Sequence, residues 1–123
     1  MKVYDWNSDE KRTHIDGYSR GVAVGSDLMM AHVKLDDGAI TATHSHVYEE
    51  IIYVVSGKWR LTLGEKVFEL GPDQSLVIPP NVVHSSLAIE ETVAVVCTSY
   101  RSEWSEDSDY MLHYNQERHL WAV

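Results

Sequence analysis

Short runs of β-branched and other apolar residues recur along most of this chain, each closed by residues that favour turns. They are "GVAVG" (21–25), "LMMAHVKL" (28–35), "AITATHSH" (39–46), "EIIYVVS" (50–56), "WRLTL" (59–63), "KVFEL" (66–70), "SLVIP" (75–79), "VVHSSLA" (82–88) and "TVAVVCTS" (92–99). The breaks include Asp36-Asp37-Gly38, Ser56-Gly57, Gly64-Glu65, Gly71-Pro72-Asp73 and Pro79-Pro80-Asn81, all turn chemistry rather than helix. A 3.6-residue apolar period is weak along the chain, and the last segment, "RSEWSEDSDYMLHYNQERHLWAV", reads equally as helix or as ordered coil. Many short strands at regular spacing predict an all-β sandwich or barrel. Residues 101–123 form an extension in which Trp104, Tyr110, Tyr114, Leu120 and Trp121 are expected to pack on the barrel or on a neighbouring subunit.

At 123 residues the chain is expected to be one domain with a single core, 1–123, its barrel spanning about 20–100. The formal net charge of −9 gives an acidic surface that repels nucleic acid and anionic membranes, so neither is expected as a partner. Cys97 is the one cysteine, which excludes an intrachain disulfide and suits a reducing compartment. It sits in an apolar β run and is expected to be a core thiol. No signal-type apolar stretch occurs in "MKVYDWNSDEKRTH" and no run approaches the ~18 residues of a membrane span, so a cytoplasmic location is expected. The segment "IIYVV" is apolar on both faces, whereas a strand with one wet face should alternate. Both faces are therefore expected to be covered, one by the barrel interior and one by the tail or a second copy, which points to a homodimer.

Directly before that strand stand His44 and His46. On a strand, residues two apart point the same way, so these imidazoles should share a face with Ile40 and Ala42. Polar rings turned into a barrel need partners, and a metal ion provides one for both. Glu50 follows four residues after His46, and His84, after "PPN", can complete the set. Glu49 competes with Glu50 as the carboxylate; strand parity favours Glu50. Three imidazoles with one carboxylate suit a divalent ion such as Fe, Mn, Ni, Cu or Zn.

The spacing Gly38, five residues, His44-x-His46, three residues, Glu50, six residues, Gly57 resembles the first motif of the cupin superfamily at each fixed position. Pro79-x-Asn81-x-x-His84 resembles the second. Asp73 and Asn81 stand where glycine is usual, and Ala88 where asparagine often ends the motif; none of these removes a ligand. The resemblance covers about residues 20–100. It implies a double-stranded β-helix (jelly-roll barrel) holding one metal on His44, His46, Glu50 and His84, with Glu50 again preferred over Glu49.

Around such a site, His32 is a candidate acid/base, and Arg60 and Arg101 are candidates to anchor a carboxylate-bearing substrate. Tyr48 lies in the turn between ligands, while Tyr53 is on the strand face opposite Glu50. The chain is similar to two groups of small cupins. One comprises polyketide cyclases, which also carry tyrosine and paired glutamates before an apolar strand. The other comprises sugar-handling cupins acting on unsaturated uronates, whose Asp-x-Phe segment is missing from "VVCTSYRSEW" although Arg101 remains. The expected activity is metal-assisted cyclisation, isomerisation or elimination on a small polar molecule. Metal-dependent dioxygenation, non-catalytic ligand binding and a structural role are the alternatives.

Overall fold

The structure, a computed structural model, describes residues 1–8 and 12–102. Ten strands are seen among them: β1 (Thr13–Ile15), β2 (Tyr18–Val24), β3 (Leu28–Leu35), β4 (Ile40–His44), β5 (Glu50–Ser56), β6 (Trp59–Leu63), β7 (Lys66–Leu70), β8 (Ser75–Ile78), β9 (His84–Ala88) and β10 (Thr92–Ser99). From β3 onward every connection crosses between two sheets except the β6–β7 hairpin. One has the order β1-β2-β3-β10-β5-β8, the other β4-β9-β6-β7, and every pairing is antiparallel. This is a jelly-roll barrel. No helix among the described residues is long and apolar enough to cross a membrane.

Strand β10 runs through the middle of the larger sheet, between β3 and β5. Its register stacks the inward side chains in layers: Glu50 and Met29 beside Thr98, Ile52 and Ala31 beside Val96, Val54 and Val33 beside Ala94. Together with Trp59, Leu61 and Ile78 these apolar residues form the buried core. The charged residue of the first layer, Glu50, is 0% exposed.

Four of the sequence-read strands have the observed bounds with β10 a fifth, and the differences at other strand ends matter. Strand β2 begins at Tyr18, three residues before the expected start, and β4 ends at His44, so His46 lies in the following loop. The expected shared face of Ile40, Ala42, His44 and His46 is therefore not what forms. Along the β4–β9 pairing, Ile40 faces Leu87, Thr41 faces Ser86 and His44 faces His84, so three steps on β4 match two on β9. This bulge places one extra residue in β4 and shifts its parity. Thr41 is buried, hydroxyl against that of Ser86, while Ile40 is 64% exposed.

Cys97 is likewise exposed rather than core. Ala94, Val96 and Thr98 take the inward positions of β10, and alternation sends Cys97 out beside Ile51 and Met30. On β5, Ile51, Tyr53 and Val55 are exposed in the single chain, at 44%, 40% and 47%, where a cover was expected. The proposed packing of Trp104, Tyr110, Tyr114, Leu120 and Trp121 lies outside the described residues.

The turns explain how non-glycine residues serve at glycine positions of the motifs. Asp73 and Asn81 have φ of 65° and 66°, the left-handed conformation that short polar side chains tolerate. At Gly57 no substitute is available: φ is +93°, and an added Cβ would lie 2.2 Å from the Glu91 carbonyl oxygen and 2.6 Å from the Thr92 Cα. Gly57→Ala should therefore destabilise the fold by about 3 kcal/mol or more through strain plus a backbone clash. Urea unfolding of the variant beside wild type measures it.

Candidate metal centre

Three imidazoles meet at one end of the barrel. His44 closes β4, His84 opens β9 directly opposite it, and His46 reaches in from the β4–β5 loop. Ring centroids lie 4.3 Å apart for His44 and His84, 4.9 Å for His46 and His84, and 5.6 Å for His44 and His46. One ligand atom from each can be chosen so that all three lie within 4.8 Å of one another.

Backbone carbonyls set which nitrogen each ring presents. The Nδ1 of His44 donates to the Ala42 carbonyl at 2.8 Å, that of His46 to Tyr48 at 2.9 Å, and that of His84 to Val82 at 2.8 Å. In each case the partner is two residues away, so local chain geometry fixes the tautomer. The Nε2 atoms are left as lone-pair acceptors pointing inward. Loop position is secured separately, because the Asn81 amide donates to the His46 carbonyl at 2.7 Å and so ties the β8–β9 turn to the β4–β5 loop.

Glu50 faces the same point. Its Oε1 lies 2.5 Å from His46 Nε2 and 3.7 Å from His84 Nε2. All three Nε2 atoms and both Glu50 oxygens are buried without a hydrogen-bond partner. Such a collection of acceptors is costly in an interior from which water is excluded, and a carboxylate far more so unless a cation offsets its charge. A divalent ion held by His44, His46 and His84 with Glu50 beside them would satisfy these acceptors. The donor set, three imidazole nitrogens and a carboxylate oxygen, suits Fe(II), Mn(II), Ni(II), Cu(II) or Zn(II).

Proton affinity has been adjusted in the same direction. Burial, with help from the neighbouring rings and Arg101, lowers the His44 pKa from 6.5 to about 4 against the opposing hydrogen bond to Ala42. Burial also lowers that of His84, although Glu50 and the Val82 carbonyl pull the other way. Both rings are thus neutral and ready to ligate at neutral pH.

Arg101, just beyond β10, borders this site. It is 3% exposed, its guanidinium lies 4.9 Å over the Tyr48 ring, and its amide donates to Met29 Sδ. Tyr48 thereby acts twice, steering His46 through its carbonyl and holding Arg101 with its ring. Tyr18 and Arg20 also turn inward from β2, 4% and 2% exposed, and were not singled out from sequence. The signal was available: a strand begun at Tyr18 puts Tyr18, Arg20, Val22 and Val24 on one face.

The other candidates lie elsewhere. On β3 the inward set is Met29, Ala31, Val33 and Leu35, so His32 faces outward. Its ring stacks on Trp6 at 5.6 Å, and Arg12 Nη1 donates to its Nδ1 at 3.2 Å. Arg60 also points out, with Trp59 and Leu61 inward, and pairs with Glu69 at 2.8 Å on the surface. Glu49 is exposed beside the buried Glu50. Neither His32 nor Arg60 joins the histidine cluster.

The family model described as "Cupin domain" matches residues 31–100. The chain belongs to the cupin family. Among curated proteins it is 30% identical over 89 residues to an uncharacterized protein of Methanocaldococcus jannaschii, covering 71% of each. Among solved structures it is similar to KdgF from Halomonas sp., at 26% identity and a TM-score of 0.76, covering 85% of this chain and 100% of that one. An RmlC-like cupin from Shewanella frigidimarina gives 20% identity, a TM-score of 0.76, and coverage of 85% and 97%. That second likeness is of fold.

The unfolded chain binds a proton at His44 near pH 6.5, the folded chain only near 4, so acid favours unfolding. The metal-free protein should keep its full His44 contribution above about pH 6.5. It should lose up to ~3 kcal/mol of stability as the pH falls from there toward 4. Urea unfolding of metal-free wild type at pH 7 and pH 4.5 will show this drop, and His44→Gln will show a smaller one.

Proposed function

We propose that this cupin is a metal-dependent enzyme acting on a small polar organic molecule by non-oxidative chemistry: cyclisation, isomerisation or elimination. The observation that supports it is the convergence of three imidazole Nε2 atoms on the buried Glu50 carboxylate, every acceptor lacking a hydrogen-bond partner. When bound there, a divalent ion supplies a Lewis acid that polarises a carbonyl or hydroxyl oxygen and lowers the pKa of bound water.

The chain's own groups prepare that chemistry. His44, His46 and His84 hold their Nδ1 protons on backbone carbonyls and leave Nε2 free to ligate. Glu50 adds negative charge where water is excluded, so its attraction for a cation is little screened. Arg101, seated over Tyr48 beside the cluster, offers a planar guanidinium to a carboxylate on the substrate. His32 and Arg60 have no part in this reading.

A cytoplasmic homodimer belongs to the same proposal. The outward face of the larger sheet, with Ile51, Tyr53, Val55 and Val77 each at least 40% exposed, offers apolar surface for a second copy.

Metal analysis of protein purified without an affinity tag for metal should find one equivalent in wild type. His84→Ala should lower metal affinity by more than the ~10–100-fold typical of losing a group that merely supports a ligand, while circular dichroism remains that of a β protein. Wild type free of stoichiometric metal would sink the proposal. Turnover without oxygen uptake by the iron-loaded form is expected; stoichiometric uptake would establish dioxygenation instead.

A further inference from the structure

One inward layer of the larger sheet carries a hydroxyl that packing does not explain. Strand pairing sets Val24, Met29, Thr98, Glu50 and Ile78 in a row across β2, β3, β10, β5 and β8. Met29, Thr98, Glu50 and Ile78 are all buried. The inward residues that precede Thr98 on β10, Ala94 and Val96, belong to the apolar core. Thr98 Oγ1 is buried without a hydrogen-bond partner. Valine has nearly the same shape and the same β-branched stiffness but no polar atom to leave unsatisfied, so burial alone gives no reason for threonine here.

Of the two residues paired with Thr98 across the sheet, only Glu50 has acceptors left over. Met29 Sδ already receives the Arg101 amide at 2.8 Å. Glu50 brings two carboxylate oxygens, both buried without a hydrogen-bond partner. Thr98 and Glu50 stand directly opposite each other. Such pairs have Cβ atoms about 4.5–5.5 Å apart, and rotation of Thr98 about χ1 swings its hydroxyl within that space. The ladder is regular at this point, since the register shift between β10 and β5 lies at Val93/Ala94, toward the other end of the strand.

We propose that Thr98 is a positioning residue for the metal centre. Its hydroxyl donates to the Glu50 oxygen that does not ligate, and so holds the carboxylate with its other oxygen presented to the ion. This rests on the reading of His44, His46, Glu50 and His84 as a metal site. The imidazoles are each aimed by a backbone carbonyl two residues away, whereas no hydrogen bond does the same for Glu50. A long side chain loses rotamer freedom when it ligates, and a bond that orients it beforehand lowers that cost. A hydroxyl bonded to a carboxylate out of water is charge-assisted, which makes it stronger than a neutral pair. Hydrogen bonds of this kind to ligating carboxylates tune affinity for the ion itself.

Titration of metal-stripped, full-length protein with Co(II), recording calorimetric affinity and the visible spectrum of the bound ion, tests this. Thr98→Val keeps the shape and removes the hydroxyl; Thr98→Ser keeps the hydroxyl. Thr98→Val should bind Co(II) about tenfold or more weakly and with an altered spectrum. Thr98→Ser should stay within about threefold of wild type and keep its spectrum, a rescue that a packing role would not give. Without metal, Thr98→Val should unfold at the same or a higher urea concentration than wild type, because it loses only an unsatisfied polar atom. Thr98→Ala takes the place of Thr98→Val in the titration if that variant does not fold. Equal weakening by Thr98→Val and Thr98→Ser overturns the role, and so does earlier unfolding of metal-free Thr98→Val. Tight binding with one spectrum by wild type and Thr98→Val alike removes the Thr98 role alone. A wild type that takes up no Co(II) removes the metal reading and the Thr98 role together.

Discussion

The interior of this barrel is organised around acceptors that have no donors. Three imidazoles commit their Nδ1 protons to carbonyls two residues away, which leaves three Nε2 lone pairs and the Glu50 carboxylate facing one another out of water. Desolvated lone pairs at such distances repel or remain unsatisfied, and a positive charge among them would offset that cost. The depressed proton affinity of His44 and His84 belongs to the same design, because neutral rings with a bare Nε2 near pH 7 give up no proton when a metal enters.

The fold holds those atoms together by ordinary β-sheet devices. Strand β10 carries β5, and with it Glu50, against β3 in the larger sheet; the β4–β9 pairing sets His44 against His84 in the smaller one. A bulge in β4 rotates His44 into the interior without also turning Ile40 inward. A single hydrogen bond from Asn81 to the His46 carbonyl locks the loop that carries the third ring. The left-handed φ of Asn81 permits that approach, which explains how asparagine can replace the usual glycine.

Much of this could be read along the chain. Turn residues marked the strand breaks because Gly, Pro, Asn and Asp act locally on φ, so the bounds of β3, β5, β6, β7 and β10 agree with the reading. Parity gave Glu50 over Glu49, since β5 is regular where it pairs through Glu50, Ile51 and Ile52. Parity failed in β4 because a bulge is a property of two strands, visible only in their pairing. It was silent for Cys97 because "TVAVVCTS" carries apolar residues on both faces; it marked Met29, Ala31, Val33 and Leu35 as the more apolar face opposite His32, and set Arg60 and Thr62 against Trp59, Leu61 and Leu63 without deciding which set is inside. Tyr18 and Arg20 were missed because the strand was begun at Gly21, beyond them.

The amino-acid sequence by itself determined the β architecture, the candidate ligand set of His44, His46, Glu50 and His84, and the turn positions, all of which depend on residue type and short-range spacing. Tertiary structure alone decided which face is inside where a strand is apolar on both sides or bulged, and so which polar residues accompany the cluster. It brought Arg101 and Arg20 into the interior and sent His32 and Arg60 to the surface. The physical reason is that inward and outward differ by one residue of register. That choice is made by pairing with strands far away in the chain, where burial of the whole apolar face outweighs the preference of any single side chain.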